Sequence, residues 1–150
     1  GPWICSSYFK LEGSSAHEED GWFETGDVAS IDANGNVSIT DRTKDVIKSG
    51  GEWISSIEVE NCATGHPMVA EAAVIGRSHP KWGERPLLIV VKNGEGDVSP
   101  DELKGFLDGK IAKWWIPDDV QYIEEMPHTA TGKIQKMKLR EMFGDYQFPA

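Results

Sequence analysis

Cysteine is scarce in this sequence: Cys5 and Cys62 are the only two. Two thiols supply neither a zinc framework nor a disulfide scaffold, so a reducing cytoplasm is the expected compartment. The histidines, His17, His66, His79 and His128, are scattered without ligand spacing, and no metal site is expected. Positive charge is in deficit, with 15 Lys and Arg against 25 Asp and Glu and a formal net charge of −10. That balance disfavours nonspecific binding to nucleic acid or to anionic membranes. There is no apolar run long enough to span a bilayer and no signal-peptide pattern. An initiating methionine is missing too. The chain opens Gly1-Pro2-Trp3, in text that reads as mid-protein, so a fragment is expected. Repeats and low-complexity segments are absent.

What is present suits one globular domain, or one domain plus part of another: 150 residues, 39% hydrophobic and 27% charged, enough to bury a core. Residues 1–43 read as strand and turn. Val28–Ile31 and Asn36–Thr40 flank Asp32-Ala33-Asn34-Gly35, a hairpin signal, and 17–21 is a polar loop. Ser55 or Ser56 caps a helix through Ile57, Val59 and Cys62 that Gly65 ends. Val69–Gly76 and the apolar run Pro86–Val91 predict strands, and Asn93–Asp97 a loop. Ser99-Pro100-Asp101-Glu102 is a capping box with proline at the first helical position, and Leu103, Phe106, Leu107 and Ile111 follow at helical spacing. Val120–Ile123 reads as a short strand and Lys136–Phe143 as a helix. Interleaved helices and strands over 44–150 predict an α+β or α/β domain.

Four stretches carry potential chemistry. In Gly21-Trp22-Phe23-Glu24-Thr25-Gly26-Asp27, an aspartate on a glycine turn can accept two hydrogen bonds from a vicinal diol, or simply close its own turn. Asp41-Arg42-Thr43-Lys44-Asp45 ends a strand with alternating charge. It reads as a solvated linker or as a hinge, with Arg42 able to bond a ribose or phosphate oxygen. Lys48-Ser49-Gly50-Gly51-Glu52-Trp53 has paired glycines that allow close approach of a narrow thiol arm, or mark a turn into the helix. It lacks the spacing of a dinucleotide or Walker loop. Pro127-His128-Thr129-Ala130-Thr131-Gly132-Lys133 puts a lysine after a tight turn. Ile134 replaces the Ser/Thr of a Walker loop and the upstream glycine is missing, which argues against a phosphate-loop NTPase. An ammonium here suits carboxylate and phosphate oxygens, or is an ordinary exposed lysine. Lys133, Lys136, Lys138 and Arg140 form a basic patch, either a solvated helix face or a phosphate site. Trp114 and Trp115 read as core packing or an interdomain face.

In order and spacing, Gly21–Asp27, Asp41–Glu52 and Pro127–Lys133 together resemble the adenylate-forming superfamily of acyl- and aryl-CoA synthetases, nonribosomal adenylation domains and beetle luciferases. The resemblance spans essentially the whole chain. Lys48–Ser56 and Ile111–Asp119 are most similar to bacterial medium-chain fatty-acid–CoA ligases and 3-methylmercaptopropionyl-CoA ligases. The resemblance implies that 1–43 is the β-rich end of a large N-terminal domain. It makes 44–150 a mobile α+β C-terminal domain, a central sheet with flanking helices. It also implies an ATP-dependent acid–thiol ligase. Asp27 and Arg42 would bind the adenosine ribose and Lys44 would be the hinge. Lys133 would bridge carboxylate and ATP. Ser49, Gly50, Gly51 and Glu52 would line the pantetheine tunnel, and Lys48 would align with a lysine of the second step. ATP with Mg2+ and CoA are implied, with the phosphate-binding and acyl pockets lying upstream of Gly1. The 150 residues alone are expected to be inert. Their unpaired strand edges could let copies of the fragment self-associate. A carrier-loading adenylation domain and a noncatalytic interaction module are the alternatives. No Asp-Ser carrier motif follows Lys133, which favours free CoA.

Overall fold

A computed structural model describes residues 3–4, 10, 22–94 and 96–149. Cys5, the expected polar loop at 17–21 (Gly21 included) and Glu95 lie outside the described residues. β1 (Asp27–Ile31) and β2 (Val37–Arg42) form the expected antiparallel hairpin. The Asp32 carboxylate closes its turn, accepting from the Asn34 and Asn36 backbone N–H groups and the Asn36 amide, while Gly35 takes φ +84°. Those bonds, the Asn36 side chain first, hold the Asp32 carboxyl below its usual range.

β3 (Ile47–Ser49) and β4 (Glu52–Ile54) form a second hairpin where the sequence suggested only a loop or a turn. Three-residue strands are too short to show a period, and the pairing comes from Gly50 and Gly51 at φ +58° and +91°. α1 (Ser56–Thr64) starts at the predicted cap, where Ser55 Oγ accepts from the Glu58 N–H. β5 (Val69–His79) and β6 (Gly83–Lys92) pair antiparallel and run past their apolar stretches, because backbone bonds continue through Arg77–His79 and Gly83–Arg85. α2 (Pro100–Leu107) begins at the Ser99 cap. It stops before Ile111: Asp108 is extended and Gly109 takes φ +76°. Ile111 still packs against the core from beyond the helix. A 3-10 turn at Lys113–Trp115 leads to β7 (Asp119–Tyr122), and α3 (Lys136–Met142) follows.

The main sheet has the order β4-β3-β6-β5, with β7 parallel to β6. A parallel pair needs a crossover, and α2 supplies it. β6 reads as one apolar run because both its faces are covered. Leu88 and Val90 join Val59, Ala63, Leu103 and Leu107 in one core, while Leu87 and Ile89 join Met126 and Leu139 in the other. The tail closes the second core with Phe143, Tyr146 and Phe148. The Tyr146 hydroxyl is hydrogen-bonded to Asp119; burial first, then this bond, pushes the phenol well above its usual range. The tryptophan pair divides: Trp115 packs on the core and Trp114 is exposed.

Candidate functional site

The candidate residues fall into three places. The first is the end of the β1–β2 hairpin. Asp27 opens β1 and Arg42 ends β2 directly opposite, with Arg42 Nε 3.4 Å from Asp27 Oδ1. Thr25 Oγ1 accepts from the Asp27 N–H, and the Thr43 N–H donates to the Gly26 carbonyl at 2.9 Å. Glu24, Thr25, Gly26, Arg42, Thr43 and Lys44 thereby wall an open cleft of about 320 Å³. Its acceptor and donor rim suits a polyhydroxylated ligand. Lys44 sits in the turn at its edge. The Arg42 carbonyl accepts from both Asp45 and Val46, so the chain reverses within this turn.

The second place is the tip of the β3–β4 hairpin. Ser49, Gly50 and Glu52 line a cleft of about 330 Å³ with Trp82, Trp114 and Arg85. The Gly50 N–H donates to the Trp82 carbonyl at 2.8 Å, and a Cβ on Gly50 would stand 2.8 Å from the Trp82 ring. Only glycine allows that approach. Gly51, at the same tip, has open space around it. Lys48 lies outside this cleft lining. Its N–H donates to Glu84 and its ammonium stands 5.7 Å from the Trp53 ring centre.

Arg85 is a residue the sequence reading missed. All its donor nitrogens are engaged: Nε and Nη2 with Asp118 Oδ1, Nη1 with Ser49 Oγ and the Trp114 carbonyl, Nη2 also with the Ile116 carbonyl. It rivets the glycine hairpin to the segment before β7. Its signal in the sequence was faint, a charge at the edge of an apolar run.

The third place is the lysine loop. His128 and Ile134 form an antiparallel bridge, and the Thr129 N–H donates to the Lys133 carbonyl at 2.7 Å. Thr129 Oγ1 accepts from the Lys133 N–H, and Gly132 turns the chain at φ +79°. His128 Nε2 lies 2.8 Å from Glu71 on β5 and pins the base of the loop. Lys133 is exposed at its end and takes no side-chain partner among the described residues. The basic patch expected around it does not hold together. Lys136 turns inward to Glu60 at 2.7 Å, and Arg140 to Asp45 at 2.5 Å. A carboxylate on the neighbouring element outcompetes solvent for each.

A buried polar chain, also missed, runs beneath the first and third places. Asp41 is 2% exposed, and its oxygens accept from the Arg42 N–H, the Ser56 N–H and the Ser56 hydroxyl. Ser56 Oγ accepts in turn from Lys136 Nζ at 2.7 Å. Burial pushes the Glu60 carboxyl up, against the pull of Lys136 and the Val74 N–H. Among the described residues, no cluster of His, Cys, Asp or Glu is fit to hold a metal ion, and no helix is long and apolar enough to cross a membrane.

Residues 58–133 match the family described as the AMP-binding enzyme C-terminal domain. The chain is similar to the 3-methylmercaptopropionyl-CoA ligase of Ruegeria lacuscaerulensis, 56% identical over 97% of this chain and 27% of that protein. It is similar to the medium-chain-fatty-acid–CoA ligase of Ectopseudomonas oleovorans, 49% identical over 97% of this chain and 26% of that one. In structure it resembles the o-succinylbenzoate CoA synthetase of Bacillus subtilis in complex with its acyl-adenylate intermediate. That match has a TM-score of 0.84 at 36% identity, over 93% of this chain and 29% of that one. The chain thus spans about a quarter of the length of the curated relatives it matches.

Proposed function

Since the chain belongs to the AMP-binding enzyme C-terminal domain family, we propose that it is the C-terminal part of an AMP-forming acyl-CoA ligase acting on a fatty or other carboxylic acid in the cytoplasm. Residues 1–43 complete the large adenylating domain, and 44–150 form the small domain that turns about Lys44. In the first step a carboxylate oxygen attacks the α-phosphorus of ATP. The bond to the β-phosphate breaks, and pyrophosphate leaves an acyl-adenylate. Two anions approach one another, so a cation aimed at the developing charge lowers the barrier. Lys133 serves as that cation, and Asp27 with Arg42 holds the ribose. In the second step the CoA thiol sulfur attacks the acyl carbon, the bond from that carbon to the phosphate oxygen breaks, AMP leaves and the thiol proton passes to solvent. The cleft beside Gly50, walled by Trp82 and Trp114, takes the thiol-bearing arm and its carrier group. Lys48, at the same hairpin, is held near that second site. Mg2+ would accompany ATP and offset the charge of its phosphates; among the described residues no His, Cys, Asp or Glu cluster is placed to hold it.

The observation that carries this reading is the contrast between neighbouring cations. Lys136 and Arg140 are paired inward, while Lys133 is held outward on a hydrogen-bonded loop. The test is ATP–pyrophosphate exchange by the full-length enzyme with a panel of short to long carboxylic acids. Lys133→Ala is expected to lower exchange by about 100-fold, the magnitude of losing one transition-state charge contact. Exchange surviving that substitution would remove Lys133 from the mechanism. The acid that exchanges fastest names the substrate class.

A further inference from the structure

We propose that Asp41 is a positioning residue, a latch that holds Ser56 and, through it, Lys136, so that the Lys133 loop is set for adenylation. This rests on the roles given above to Lys133 and Lys44. A carboxylate that is only 2% exposed is costly unless it is fully hydrogen-bonded. One of its bonds is local, to the Arg42 N–H. The others, from the Ser56 N–H at 2.6 Å and the Ser56 hydroxyl at 3.0 Å, come from beyond Lys44 in the chain. Asp41 therefore reaches across the hinge.

Ser56 passes the contact on. Its hydroxyl donates to Asp41 and accepts from Lys136 Nζ. Lys136 is the first residue of α3, three positions after Lys133. One turn further, Arg140 donates to the Lys44 carbonyl at 3.2 Å and to Asp45. The helix that follows the lysine loop is thus attached on both flanks of the hinge turn. When the small domain turns about Lys44, α1 and α3 travel together, because Lys136–Glu60 and Arg140–Asp45 lie within that unit. The Asp41–Ser56 bonds join the two sides, with the bond from Ser55 Oγ to the Thr40 carbonyl beside them, and they must break. Breaking them returns a carboxylate to water, which makes the latch reversible. Its effect is a preference for the arrangement that presents Lys133, not chemistry at the reacting atoms.

The test separates the two half-reactions in the full-length enzyme. Pyrophosphate exchange reports the first. Single-turnover CoA transfer from a supplied, chemically made acyl-adenylate reports the second. Asp41→Asn keeps the shape and removes the charge, and Ser56→Ala is a second variant that leaves Asp41 in place. Each is expected to lower exchange by about tenfold, the weight of a charge-assisted hydrogen bond, while CoA transfer stays within about twofold of wild type. Equal losses in both half-reactions would mean a merely structural role and overturn the latch. Unchanged exchange in both variants, with exchange collapsed in Lys133→Ala, would overturn the latch alone. Exchange surviving Lys133→Ala would overturn the reading beneath it, and the latch with it.

Discussion

At the residue scale, Gly50 and Glu60 are decided by their immediate surroundings. Gly50 combines φ +58° with the Trp82 ring standing where a Cβ would be. An alanine there meets Trp82 and pays a left-handed penalty of roughly 1–2 kcal/mol. In the full-length enzyme, Gly50→Ala is expected to slow CoA transfer by about tenfold and to leave pyrophosphate exchange within about twofold. Rates of the two half-reactions measured side by side check this. Glu60 is decided by burial, which raises its pKa above the ordinary 4.5 despite Lys136. A raised value means the folded state holds the proton more tightly than the unfolded chain does. Its contribution to stability is then complete below the ordinary value and declines as pH rises through the folded one. Measured against Glu60→Gln, the wild-type urea midpoint is expected to lose ground as pH rises above the ordinary value of 4.5. A difference that stays flat or grows with pH would contradict the burial argument.

At the element scale, the cleft beside Gly50 depends on Arg85 joining β3 to the segment ahead of β7. Removing the guanidinium leaves the Asp118 carboxylate and two carbonyls without their shared donor. Arg85→Met is expected to destabilise the fold by about 3 kcal/mol, since a half-buried charge loses its partner. It should also change the tryptophan fluorescence, because Trp82 and Trp114 wall the same cleft. Thermal melting and emission spectra test both. Elements with a chemical start signal were readable in advance: α1 from Ser55, α2 from Ser99-Pro100, and the β1–β2 turn from Asn34-Gly35. β3 and β4 were not, because their pairing rests on two glycine backbones and one bridge to Gly83. The end of α2 was missed because Ile111 fits the helical period while Asp108 and Gly109 leave it.

At the scale of the whole molecule, the glycine hairpin at β3–β4 and the lysine loop, pinned to β5 through His128 and Glu71, lie at separate places. Under the function proposed above, a turn about Lys44 would exchange one for the other. A face without the rest of an active site does no chemistry. The 150 residues expressed alone are expected to show no ATP–pyrophosphate exchange, measured with labelled pyrophosphate at high protein concentration. Exchange by this chain would mean that the adenylating machinery lies within it.

Residue order by itself determined the family resemblance and the candidates Asp27, Arg42, Lys44, Gly50 and Lys133. It also determined a strand along the apolar run Pro86–Val91. These are local matters: motif spacing, turn chemistry and the period of apolar residues act over a few positions. Only the tertiary structure decided that Lys136 and Arg140 turn inward while Lys133 does not, that Arg85 clamps the glycine hairpin, and that Asp41 meets Ser56. Each of those joins residues 15 to 95 positions apart. A charged side chain's partner depends on which carboxylate or carbonyl the fold brings within about 3 Å, and no local pattern carries that distance.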